Sequence, residues 1–201
     1  MKPLVITGIA TSALIVALAV FAKIPTYHLA PISLIPLTWL PVWLRRKLDL
    51  QPMHYLLFCV AILLHMSGAL GFYQHSPFPI SFDIVVHFYF AFAVAFLLHH
   101  AIAVNFPLKP WQVNVTTLLF MMGFGALHEI MEFCSYLLLG EEKGMLKPRT
   151  SYQFDTARDL TNNLLGTLLA LIIIAIVRAA MRRSPAHQTI EADKSPAAAA
   201  V

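Results

Sequence analysis

Charge is what this sequence lacks first. Only 12% of its 201 residues are Asp, Glu, Lys or Arg, about half the share of an ordinary soluble domain. With 59% hydrophobic residues and a mean hydropathy of +0.72, most of the chain cannot form the surface of a water-soluble globule. Cysteine is nearly absent as well. Cys59 and Cys134 lie inside apolar runs without CxxC spacing, which excludes a disulfide framework and a zinc knuckle and leaves packing as their role. There is no nucleophile motif and no glycine-rich phosphate loop. There is no HExxH either, because Ile130, Met131 and Glu132 follow His128-Glu129. The net charge of +4 comes from short basic clusters between apolar runs, so a nucleic-acid partner is excluded in favour of membrane topology.

Long apolar runs are what the chain does have. They fall near 3–22, 29–44, 53–72, 82–104, 111–139 and 160–181, and a spanning helix needs about 20 such residues. The expected fold is therefore all-α: a polytopic transmembrane bundle of about six spanning helices, its domain at 1–183. A disordered tail is expected at 184–201, where apolar periodicity gives way to an alanine tract. The first run ends in Val20-Phe21-Ala22, a small-residue pattern that also suits a secretory signal. Its length, beyond the usual 7–15 residues or so of such a signal, favours a retained helix. Pro31, Pro36 and Pro41 predict a broken or re-entrant second helix, and Trp39 and Trp43 near its end read as interfacial anchors.

Arg45-Arg46-Lys47, Lys109, and Arg178, Arg182 and Arg183 mark alternate loops as cytoplasmic. That puts the C-terminus in the cytoplasm of a bacterium, with the multi-pass chain in its inner membrane and loops 73–81 and 140–156 outside.

Against this background the ionisable residues inside the runs stand out, since each costs about 2.5–3.5 kcal/mol on insertion. They are His65 in the third run, Asp83 and His87 in the fourth, His128, Glu129 and Glu132 in the fifth, and Asp155, Arg158, Asp159, Asn162 and Asn163 at the start of the sixth. At a rise of about 1.5 Å per residue, His65, His87, Glu129, Glu132 and Asn163 all fall about 5–15 Å below the outer ends of their helices. Four helices of alternating direction thus bring polar residues to one level, which predicts one shared site. Spacing agrees: Asp83 and His87 are i,i+4, Glu129 and Glu132 are i,i+3, and Asp155, Asp159 and Asn163 step by four. Gly68, Gly123, Gly125 and Gly166 offer close helix approach around it.

Carboxylates and imidazoles in a low-dielectric interior need protons or cations. The expected metal ligands are His65, Asp83, His87, Glu132, Asp155 and Asp159, a donor set that admits zinc, iron, manganese or magnesium. Glu129, Glu132 and Asp159 are the expected catalytic groups. Arg149, Arg158 and Asn163 are expected to bind substrate, the arginines through a phosphate or carboxylate group. His128, turned about 100° from Glu129, is left out of the ligand shell. His99 and His100 read as an interfacial polar cap, and His28, His54, His75 and His187 as isolated.

The order Asp83-x-x-x-His87-Phe88, Glu129-x-x-Glu132, Asp155-x-x-x-Asp159 and Asn163-x-x-Gly166 resembles the YjdF-like bacterial inner-membrane family, whose function is not established, over about residues 52–181. A looser likeness extends to the VanZ-like membrane proteins, where Arg149, Asp159, Asn163 and Gly166 fill the corresponding places, with a longer Arg-to-Asp gap and an extra aspartate. The resemblance implies a fold and a polar cluster, not a reaction. Three functions follow: a metal-dependent hydrolase or transferase acting on a membrane lipid or lipid-linked substrate, a proton or divalent-cation transporter, and a non-catalytic structural or assembly protein. Below Glu129 and Asn163 only Asn114, Thr116, Thr117 and Thr167 continue inward, which favours a dead-ended site over a transport path.

Overall fold

A computed structural model describes residues 2–21, 29–143 and 152–183. Arg149 and the 184–201 tail lie outside the described residues. The chain runs α1 (Lys2–Phe21), α2 (Leu29–Leu48), α3 (Pro52–Ser67), a π-turn (Gly68–Phe72), α4 (Phe82–Asn105), α5 (Pro110–Lys143) and α6 (Tyr152–Arg183). No strand occurs among the described residues, and the fold is the helical membrane bundle that the apolar runs imply. Segments 2–20, 82–105, 110–140 and 153–183 are long and apolar enough to cross a membrane. α3 is shorter, at 16 residues, and continues through the π-turn to Phe72. Among the described residues those four helices reach spanning length and apolarity by themselves.

The second helix corrects the expectation of a break. α2 is one helix with Pro36 and Pro41 inside it. Pro41 has no amide to offer the Leu37 carbonyl. The next carbonyl, that of Thr38, accepts the Tyr55 hydroxyl of α3 at 2.8 Å, and the Thr38 hydroxyl donates to the Leu34 carbonyl at 2.8 Å. Tyr55 and Thr38 are both 0% exposed, so packing against α3 holds the helix through the proline. Trp39 also packs within the bundle. Its indole donates to Ser12 of α1 at 3.0 Å, while Trp43 is 69% exposed.

Two cores result. Leu4 and Ile15 of α1, Leu34 and Val42 of α2, and Phe58, Ile62 and Met66 of α3 form the first. Ala91 and Ala95 of α4, Met121 of α5 and Ala170 of α6 form the second. The most extensive helix pair is α4 with α6, neighbours in space but not in sequence. Gly166 makes it possible, since a Cβ there would collide with the Phe88 carbonyl. The large apolar residues left exposed on α5 and α6, such as Leu119, Leu138 and Ile172, form the surface that a bilayer covers.

At the end opposite the polar stripes the connections are pinned. Asp49 closes α2 in the left-handed region at φ 46°, a conformation Asp tolerates, and its carbonyl meets His100 Nε2 at 2.7 Å. The His54 ring lies 4.6 Å from that of His100, tilted by 32°, so His54 has a companion. His99 is 3% exposed and meets Asn114 Oδ1 of α5 at 3.1 Å, which makes it an interhelical tie rather than a surface cap.

Candidate functional site

Four turns of α6 build one wall. Asp155, Asp159, Asn163 and Thr167 are buried in steps of four, while Phe154, Leu165 and Leu168 on other faces are exposed. Gly125 of α5 lets that helix close over the stripe, because a Cβ there would lie 2.7 Å from Asn163 Nδ2. The first turns of α4 supply the facing wall, with Asp83 and His87 aligned by their i,i+4 spacing.

Arg158 joins the walls. Its Nη2 reaches Asp83 Oδ2 at 2.8 Å and Asp155 Oδ1 at 2.6 Å, and its Nε reaches Asp159 Oδ1 at 3.2 Å. Asp83 and Asp159 thus give one oxygen each to the guanidinium and turn the other toward His87. Those distances are 3.5 Å from His87 Nε2 to Asp83 Oδ1 and 3.9 Å to Asp159 Oδ2. Both exceed the usual 2.7–3.2 Å or so of a hydrogen bond. They are close to the spacing of about 3.4 Å between two ligand atoms on one tetrahedral ion with bonds near 2.1 Å. The group Asp83, His87 and Asp159 has its three ligand atoms within 4.8 Å of one another. A neutral imidazole, a divalent cation and Arg158 would balance the charges of Asp83, Asp155 and Asp159. A buried Asp–His–Asp group of this geometry can hold a metal.

A second layer lies against it. His128 of α5 stands between His65 and His87, with ring centroids 6.3 and 5.6 Å away. His128 Nε2 reaches Glu132 Oε1 at 3.2 Å, and His65 Nδ1 meets the Tyr73 hydroxyl at 3.0 Å. Glu129 is 5% exposed, and the Thr156 side chain of α6 is the one polar donor beside its carboxyl among the described residues, at marginal hydrogen-bond geometry. His87, His128 and Glu132 are its titratable neighbours. A buried carboxyl so poorly supplied with donors is costly, and Glu129 keeps acceptor capacity for a bound ligand.

The expected residues divide accordingly. Asp83, His87 and Asp159 converge. Asp155 and Arg158 close around them, with Arg158 committed to three carboxylates instead of facing outward. His65 and Glu132 belong to the imidazole layer and lie outside the three-atom group, and Asn163 is packed under Gly125. His128 stays outside the three-atom group, as expected, and two contacts of the second layer escaped sequence reasoning. His128 and Glu132 are i,i+4 and share a face, a signal overlooked in favour of the adjacent Glu129. Tyr73 carried none, because it returns to His65 only through the π-turn, where Gly71 takes φ 119° and the Gln74 and His75 amides fold back onto its carbonyl at 3.0 and 2.9 Å.

The polar stripes of α4, α5 and α6 sit within a helical frame that a family model describes as a whole: residues 4–180 match a family described as "Predicted membrane protein (DUF2238)". The chain belongs to the DUF2238 family of predicted membrane proteins. The match takes in α1 and α2 as well as the 52–181 core that carries the motif order. No curated protein and no solved structure matches the chain. What the DUF2238 chain presents is thus a membrane bundle with a buried Asp–His site near one end of its last three helices.

Proposed function

We propose that the site binds one divalent metal ion through Asp83 Oδ1, His87 Nε2 and Asp159 Oδ2, and that the ion serves chemistry on a lipid or lipid-linked group entering from the outer leaflet. The observation that carries this reading is the pairing of the two carboxylates, each with one oxygen on Arg158 and the other aimed at His87 Nε2. Three protein ligands leave a fourth position open, the pattern of catalytic rather than structural sites. An ion held there would supply Lewis acidity and make a bound water more acidic. Glu129, a buried carboxyl among the titratable neighbours of His87, would receive the proton.

Binding or catalysis is favoured over transport by what lies beneath. Met121, Ala91, Ala95 and Ala170 form an apolar core between the site and the other end of the bundle. The buried hydroxyls of Thr117 and Thr167 there bond to carbonyls of their own helices at 2.8 Å. A continuous polar path is what a transporter would need. The basic clusters at the other helix ends support a bacterial inner-membrane orientation with the site toward the periplasm and the C-terminus in the cytoplasm. The YjdF-like motif order falls inside the matched region, and the VanZ-like likeness adds no reaction to it.

The test is elemental analysis of protein purified without chelator. The wild type and Glu132→Ala should each carry close to one equivalent of the same metal, and His87→Ala and Asp159→Asn should carry none. Stoichiometric metal surviving His87→Ala would sink the assignment.

A further inference from the structure

The DUF2238 chain concentrates charge a second time, at the opposite end of the bundle. There α5 begins at Pro110 and α6 ends in Arg178, Arg182 and Arg183, with a cavity of about 350 Å³ between them. Ala175, Arg178, Ala179 and Arg182 share one helical face by their steps of three and four. All four line the cavity, the small alanines leaving room beside the arginines. Asn114 lines the α5 side; its Oδ1 is taken by the buried His99 at 3.1 Å, which leaves its amide N–H groups as donors.

The contrast with Arg158 is instructive. That guanidinium serves three carboxylates, whereas Arg178, Arg182 and Arg183 have no carboxylate partner among the described residues, and no Asp or Glu lines the cavity. A cavity with cationic and amide donors and no acidic side chain is complementary to an anion. Its level identifies the source. The apolar spans of α5 and α6 terminate here, and Trp111 and Ile176 beside it are 61% and 62% exposed. A headgroup held in the cavity would lay its acyl chains along that apolar surface.

We propose that this cavity binds the phosphate of an anionic phospholipid at the membrane–water boundary. Trp111 is the reporter. Full-length protein is placed in phosphatidylcholine vesicles containing equal small fractions of brominated phosphatidylglycerol or brominated phosphatidylcholine, and tryptophan quenching is compared. Phosphatidylglycerol should quench preferentially, and Trp111→Phe should abolish the preference. The pair Arg178→Gln and Arg182→Gln should weaken it about tenfold or more, and the pair Arg178→Lys and Arg182→Lys should retain most of it. Equal quenching by the two lipids, or a preference that survives the glutamine pair, would overturn the proposal. Saturable change of Trp111 emission by inorganic phosphate in unbrominated vesicles, without lipid preference, would assign the cavity to a free anion and overturn the lipid source.

Discussion

Replacing Arg158 by methionine keeps the length of its stem and removes the charge that Asp83, Asp155 and Asp159 share. An exposed ion pair contributes about 0–1 kcal/mol, and losing one partner of a buried pair costs about 3–5 kcal/mol. The side-chain exposures decide between these ranges: 29% for Arg158, 25% for Asp83, 9% for Asp155 and 2% for Asp159. Two carboxylates are left almost without water while the third is partly screened, so Arg158→Met should cost about 3 kcal/mol, the low end of the buried range. The cost falls on the contact between α4 and α6. Cys59 reports its loss, because it is 1% exposed in the core against which Phe90, Val94 and Leu97 of α4 pack. In a Cys134→Ser background, which removes the exposed thiol, labelling of Cys59 by a fluorogenic maleimide during an SDS titration in bicelles gives the unfolding midpoint. Chelator is present throughout, to separate the ion pairs from any metal. Arg158→Lys should fall between, since a single ammonium cannot fork to three carboxylates. Adding Asp83→Asn to Arg158→Met should recover part of the loss. If Arg158→Met unfolds within about 0.5 kcal/mol of the parent, as a neutral surface change would, the guanidinium does not hold the two helices together.

Other outcomes follow from the same geometry. Gly166→Leu, which drives a side chain into the Phe88 carbonyl, should destabilise by about 1–3 kcal/mol or more, whereas Gly123→Leu, with nothing within 4 Å of its Cβ position, should change stability by less than about 0.5 kcal/mol in the same assay. Tyr55→Phe removes the donor to the Thr38 carbonyl beside Pro41 and should cost about 1–2 kcal/mol; an unchanged midpoint would show that α2 holds its prolines without that bond. A divalent ion at one hundred times its dissociation constant should stabilise the wild type by about 2.7 kcal/mol and leave His87→Ala unmoved; equal stabilisation of both would place the ion elsewhere.

The apolar runs alone determined that this chain is a membrane helical bundle, because about twenty consecutive apolar residues have no other stable setting. Periodicity alone also put Asp83 with His87, and Asp155 with Asp159 and Asn163, on single faces, since helix geometry fixes which residues three or four apart are neighbours. Prolines misled the reading of α2: a missing amide predicts a break only if nothing else supports the helix, and Tyr55 does. His128 stays outside the three-atom group as expected, but its neighbours are imidazoles from α3 and α4 that no local spacing reveals. Only the tertiary structure decided which polar stripes meet. α4 and α6 close at Gly166, which carries Arg158 across to Asp83 and leaves His65 and Glu132 in a separate layer. That choice depends on backbone approach between helices distant in sequence, where a single Cβ more or less sets which side chains can touch.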